Sequence, residues 1–137
     1  MHSRTEILLE NYSKTINIEA LTTAEMATKE ILPAVMAYEK QVCDVLLSKK
    51  NAGVAYNLEQ SIANKIDSLA ESLNSKIAEL DSAIVKAQGI SDVYEAAKCY
   101  HNEVFATMQS LRAVADELET IVGGKYWAFP TYEEPLV

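Results

Sequence analysis

Between Asn57 and Gln88 the large aliphatics fall at Leu58, Ile62, Ile66, Leu69, Leu73, Ile77, Leu80 and Ile84, a spacing of 4, 4, 3, 4, 4, 3 and 4. That spacing is one stripe on a helix and excludes a strand, whose side chains alternate with a period of two. Leu58, Leu69 and Leu80 share one phase, and Ile62, Leu73 and Ile84 another. The repeat is therefore eleven residues, which leaves the seam nearly straight or coiled slightly to the right. The intervening positions Gln60, Asn64, Asp67, Glu71, Asn74, Ser75, Glu79 and Asp81 are polar and read as a solvated outer face. One such stripe does not hold a helix in water by itself, so other helices must cover it.

Composition agrees. The chain has 137 residues, four Gly and three Pro, which fits one helical domain of ordinary size. Its formal charge of −8 is spread without a basic cluster, so nucleic acid and anionic membrane surfaces are poor partners. No apolar run reaches the length of a transmembrane helix, and no charged-then-apolar leader opens the chain. The expected location is the cytoplasm. Cys43 and Cys99 lie far apart, form no C-x-x-C pair and sit beside apolar positions; both read as buried free thiols.

Around the central helix, Arg4 to Tyr12 reads as a short amphipathic helix with Ile7, Leu8 and Tyr12 on its apolar side. Nothing in the sequence caps its start, and a pattern that opens inside a helix leads to the expectation of a longer polypeptide. Residues 13–21 alternate at Ile16 and Ile18 and read as a connector, completing a segment 1–21. Thr22-Thr-Ala-Glu25 has the form of a capping box. It predicts a long helix over 22–52, with its seam through Ala27, Ile31, Val35, Tyr38, Val42 and Leu46 and its stop at Gly53. Pro33 should kink this helix without dividing it, because it removes one ladder bond and crowds the carbonyl of Lys29. The central helix should span 57–88, capped by Asn57 and stopped at Gly89.

Ser91 should cap a third long helix over 91–122. Its seam runs through Val93, Ala97, Tyr100, Val104, Met108, Leu111, Ala115, Leu118 and Val122, and Gly123-Gly124 should end it. Short connections make successive helices antiparallel neighbours. The expected fold is all-α: an antiparallel bundle of three long helices plus a short N-terminal helix, resembling a four-helix bundle. Residues 123–137 form an irregular aromatic tail, in which Trp127, Phe129, Pro130 and Tyr132 are too apolar to be left in water. It should fold back over the bundle or pack on another domain or subunit.

Chemistry-bearing motifs are scarce. Gly123-Gly124-Lys125 lacks the remaining residues of a phosphate-binding loop. A di-iron bundle needs paired Glu-x-x-His motifs, yet His101 follows Lys98 at that spacing. Cys99 and His101 with Glu103 nearby lack the second acid, the oxyanion donor and the glycine-rich turn of a thiol-histidine site. The residues alone lead to a helical bundle with no catalytic, cofactor or metal residue. A free-standing adaptor that binds a partner protein through its bundle surface fits them as well.

Two stretches carry a resemblance. Ser3 to Thr22, continued by Ile31-Leu-Pro-Ala-Val35, and the tail Tyr126-Trp-Ala-Phe-Pro-Thr-Tyr132 resemble the C-terminal region of type III glutamine synthetases, the large bacterial form. Ala128 stands where the resemblance leads one to expect a further proline. The resemblance implies a parent ligase that joins ammonia to glutamate using ATP and a divalent metal, Mg or Mn, in a large ring-stacked oligomer. It places the catalytic, nucleotide and metal residues in an upstream domain. The role it implies here is structural: bracing that catalytic domain or packing against neighbouring subunits, with self-association open to the isolated piece.

Overall fold

The computed structural model describes residues 3–123, and all regular structure among them is helical. Helix α1 spans Arg4–Met26 and passes through a π-helical turn at Ala27–Ile31 into α2, Leu32–Ala52. Helix α3 covers Asn57–Gln88. Helix α4, Val93–Cys99, continues through a second π-helical turn, Tyr100–Phe105, into α5, Ala106–Glu119. Helix α3 is the common neighbour: α2 and α5 pack along it, and α1, α4 and both π turns touch it.

The first fifty residues differ most from the expectation. No connector interrupts residues 13–21, and Thr22 to Glu25 lie inside α1 and cap nothing. Ser3 supplies the missing N-cap, its Oγ accepting the Glu6 amide at 3.1 Å, which satisfies one of the orphan donors of the first turn. The buried stripe of α1 is Ile16, Ala20 and Ala24, continued by Ala27, whereas Ile7 and Leu8 are exposed. Small alanines let α1 lie close against its neighbours, so the face that packs is not the face with the large side chains.

Pro33 acts through the π turn. The Leu32 amide reaches back five residues to the Ala27 carbonyl, and widening the helix by one residue before Pro33 relieves the ring's clash with the preceding turn. The backbone stays helical on both sides, with φ/ψ of −61°/−43° at Ala27 and −58°/−46° at Leu32. Helix α2 ends as the sequence predicts: Gly53 takes φ 76°, the left-handed conformation, and its amide bonds the Lys49 and Lys50 carbonyls. A Cβ at Gly53 would meet nothing within 4 Å. Gly53→Ala should therefore cost the backbone term alone, about 1 kcal/mol, read as a lower urea midpoint with an unchanged slope.

The eleven-residue stripe is the core. Ile66, Leu73 and Leu80 are fully buried, Ile77 and Ile84 nearly so, and Ile62 and Leu69 pack half-buried against them. Leu58 departs from the stripe and is 65% exposed. At this first turn the inward position belongs to Glu59, whose carboxylate meets Lys49 Nζ at 2.7 Å. Tyr56, not Asn57, occupies the N-cap position, without a side-chain bond. Gly89 closes α3 in the right-handed region. Asp92, not Ser91, caps α4, accepting the Glu95 amide at 2.9 Å. The seam predicted for the third helix is buried from Ala97 through Val122, with Val93 at its margin. The helix itself stops at Glu119, ahead of Gly123. Trp127, Phe129, Pro130 and Tyr132 lie outside the described residues.

Candidate functional site

The polar side chains that cross between helices gather where α1, α3 and the second π turn meet. Lys86, in the last turn of α3, places Nζ 2.9 and 3.0 Å from the two carboxylate oxygens of Glu103. The Cys99 thiol, one helical turn before Glu103, donates to the same carboxylate at 3.4 Å. Asn17 of α1 accepts from the Tyr100 hydroxyl at 3.0 Å and from Gln88 at 3.1 Å. On the neighbouring face Tyr12 and His101 Nδ1 lie 3.1 Å apart, and the His101 ring stacks on Phe105 with centroids at 6.3 Å.

These contacts answer the thiol-histidine question. His101 turns to Tyr12 and Phe105, whereas Cys99 turns to Glu103. Burial, then the hydrogen bond to Glu103, pushes the Cys99 thiol above its ordinary pKa, so the thiolate needed for nucleophilic attack is disfavoured. The Lys86 ammonium, then the Cys99 thiol, holds Glu103 below the usual carboxylate range. The cluster is thus a set of charge-assisted ties between helices. Cys43, expected to be buried, is exposed. It falls on the outer side of α2, next to the inward Val42.

Two carboxylates at the other end behave in opposite ways. The Lys49 hydrogen bond holds Glu59 below the ordinary carboxylate range. Its contribution to stability is present above the unfolded carboxylate pKa of about 4.3 and is lost as pH falls through the depressed folded value. Glu39 is pushed up, first by burial and then by the Asp67 charge across the α2–α3 seam, and its Oε2 has no hydrogen-bond partner. For this group the sign reverses: stability falls as pH rises from the unfolded value through the raised folded one. Glu39→Gln should therefore raise the melting temperature at pH 7, with the gain vanishing near pH 4. A gain that persisted at pH 4 would show that charge is not the cause.

No three His, Cys, Asp or Glu side chains converge among the described residues in a way that could hold a metal ion, and no described helix is long and apolar enough to cross a membrane. Two open depressions flank the polar ties. One, of about 540 Å³, runs between α3 and the second π turn beside Lys86 and Glu103. The other, of about 410 Å³, is an apolar groove between α1 and α4.

The family comparison then gives the arrangement its context. Residues 1–50 match the glutamine synthetase C-terminal domain. Over 138 residues the chain is 38% identical to the glutamine synthetase of Butyrivibrio fibrisolvens, a match covering 99% of this chain and 20% of that protein. It is 28% identical over 142 residues to the type-3 glutamine synthetase of Dictyostelium discoideum, covering 99% of this chain and 19% of that protein. It is 23% identical over 139 residues to the glutamine synthetase of Bacteroides fragilis, covering 97% and 19%. The chain thus spans about one fifth of the length of the curated relatives it matches. No solved structure matches it. The match to the glutamine synthetase C-terminal domain ends at residue 50, so it covers α1, the first π turn and nearly all of α2.

Proposed function

We propose that the chain is the C-terminal helical domain of a type III glutamine synthetase and that its function is structural. The observation that carries this reading is the 38% identity to a glutamine synthetase across 99% of the chain. On this reading the parent enzyme ligates ammonia to glutamate with ATP and Mg or Mn, in the cytoplasm and as an oligomer, and the residues that hold nucleotide and metal lie upstream. The domain contributes an antiparallel bundle: the continuous helix from α1 to α2, the rod α3, and the continuous helix from α4 to α5. Its partners are the upstream catalytic domain and neighbouring subunits, to which the aromatic tail ties it. The interhelical ties just described favour a scaffold over a catalyst, because their charged groups neutralise one another and leave no activated nucleophile.

Two measurements test the reading. The full-length polypeptide carrying these residues should form glutamine from glutamate, ammonia and ATP. The isolated chain should give no heat on titration with ATP in the presence of magnesium or manganese. Micromolar ATP binding by the isolated chain would place nucleotide chemistry inside it and overturn the structural assignment. A reading frame that encodes these 137 residues alone would support the adaptor instead.

A further inference from the structure

Helix α1 reaches past the end of α3. Gln88, the last residue of α3, bonds Asn17, so the three turns of α1 before Asn17 extend beyond α3 and lie against α4. Ile16 is the first buried residue of α1; none of the twelve ahead of it in the helix is buried. Twelve helical residues are marginal in water without a packed face. This arm and α4 enclose the apolar groove of about 410 Å³, lined by Leu9, Tyr12, Tyr94, Ala97 and His101. Among its walls Leu9 is half-buried and Tyr94 is 46% exposed.

The groove suits protein side chains better than a small molecule. Small-molecule sites combine apolar walls with a few convergent polar groups free to orient the ligand. Of the polar groups on the walls, Tyr12 and His101 are hydrogen-bonded to each other and Lys98 pairs with Glu95, which leaves Asn102 as the remaining polar wall residue, and the groove is open along its length. Its position names the occupant. If the chain is the C-terminal domain of a glutamine synthetase, the other four fifths of the polypeptide lead into α1. Leu9, on the groove wall, lies only about 7.5 Å along the axis from Arg4 at about 1.5 Å per residue, so the upstream polypeptide arrives beside the groove.

We infer that the groove between the projecting arm of α1 and α4 is the seat for the catalytic part of the same polypeptide, which inserts aliphatic or aromatic side chains between Leu9 and Tyr94. This inference rests on the reading given under Proposed function.

The test compares hydrogen exchange of the full-length polypeptide with that of the isolated chain, for the wild type, for Leu9→Asp with Tyr94→Asp, and for Leu47→Asp as a control on the exposed side of α2. Amides of residues 8–12 and 94–101 should be protected at least tenfold more in the full-length wild type than in the isolated chain. The double variant should lose that difference and Leu47→Asp should keep it. Protection that is equal in both proteins, in a polypeptide that makes glutamine, would overturn the groove assignment and leave the functional reading standing. A full-length polypeptide without ligase activity would overturn both. Concentration-dependent dimerisation of the isolated chain that the double variant abolishes would overturn the inference in favour of a second copy as occupant.

Discussion

Leu73→Ala should lower the stability of the domain by about 2 to 5 kcal/mol, whereas Glu71→Ala, two residues away on the outer face, should change it by less than about 0.5 kcal/mol. Leu73 is fully buried at the middle of α3 and belongs to the single core that all the helices share. Removing its isobutyl group takes away transfer free energy and leaves a cavity that three helices would have to close. Urea denaturation decides the matter. Matching midpoints for the two variants would mean that the stripe faces solvent.

Glu19→Pro should cost at least about 3 kcal/mol, against less than about 0.5 kcal/mol for Glu19→Ala. Glu19 is exposed, so packing contributes little to either number. The difference comes from the backbone, since proline at 19 removes a rung and clashes with the turn before it in the middle of α1. Were residues 13–21 a connector, the proline would be nearly neutral, which makes this pair the sharpest check on the continuity of α1. Circular dichroism of the variants reads the same event as a loss of helix.

That continuity marks the limit of what the pattern of large side chains reveals. The span of helix α3 was legible, though not its cap, because its stripe is built from Leu and Ile and its flanks contain Gly53 and Gly89. Helix α1 buries Ala20, Ala24 and Ala27, residues that weigh little in any hydrophobic pattern, while Ile18 and Leu21 face outward and imitate a strand and a helix start. Thr22 and Glu25 have the spacing of a capping box, but that spacing is also compatible with a helix interior. Leu58 illustrates a different failure. Periodicity fixes a face but not where the neighbouring helix ends, and at that turn the inward place goes to Glu59 because Lys49 is there to meet it.

The polar ties around Glu103 were partly readable. Cys99, His101 and Glu103 stand out in the sequence, but Lys86, Asn17 and Tyr12, the partners of Glu103, Tyr100 and His101, lie 17 to 89 residues away from them. No local spacing announces such pairs. The first π turn has a signal in Pro33; the second, Tyr100–Phe105, contains neither glycine nor proline. Gly123-Gly124-Lys125 departs from a phosphate cradle in sequence alone, with Glu119 where the loop's first glycine would stand and Tyr126 in place of its Ser or Thr.

The unbroken path from α1 into α2 has a mechanical meaning. From Arg4 to Ala52 the backbone is one helical strut, roughly 70 Å long at about 1.5 Å per residue, longer than α3 itself. Near its far end the ion pair of Lys49 with Glu59 anchors this strut to the start of α3. Along its length the strut is widened at one place, the turn at Ala27–Ile31 just before Pro33, so a single helix spans the bundle from the Asn17 ties at one end to Lys49 at the other.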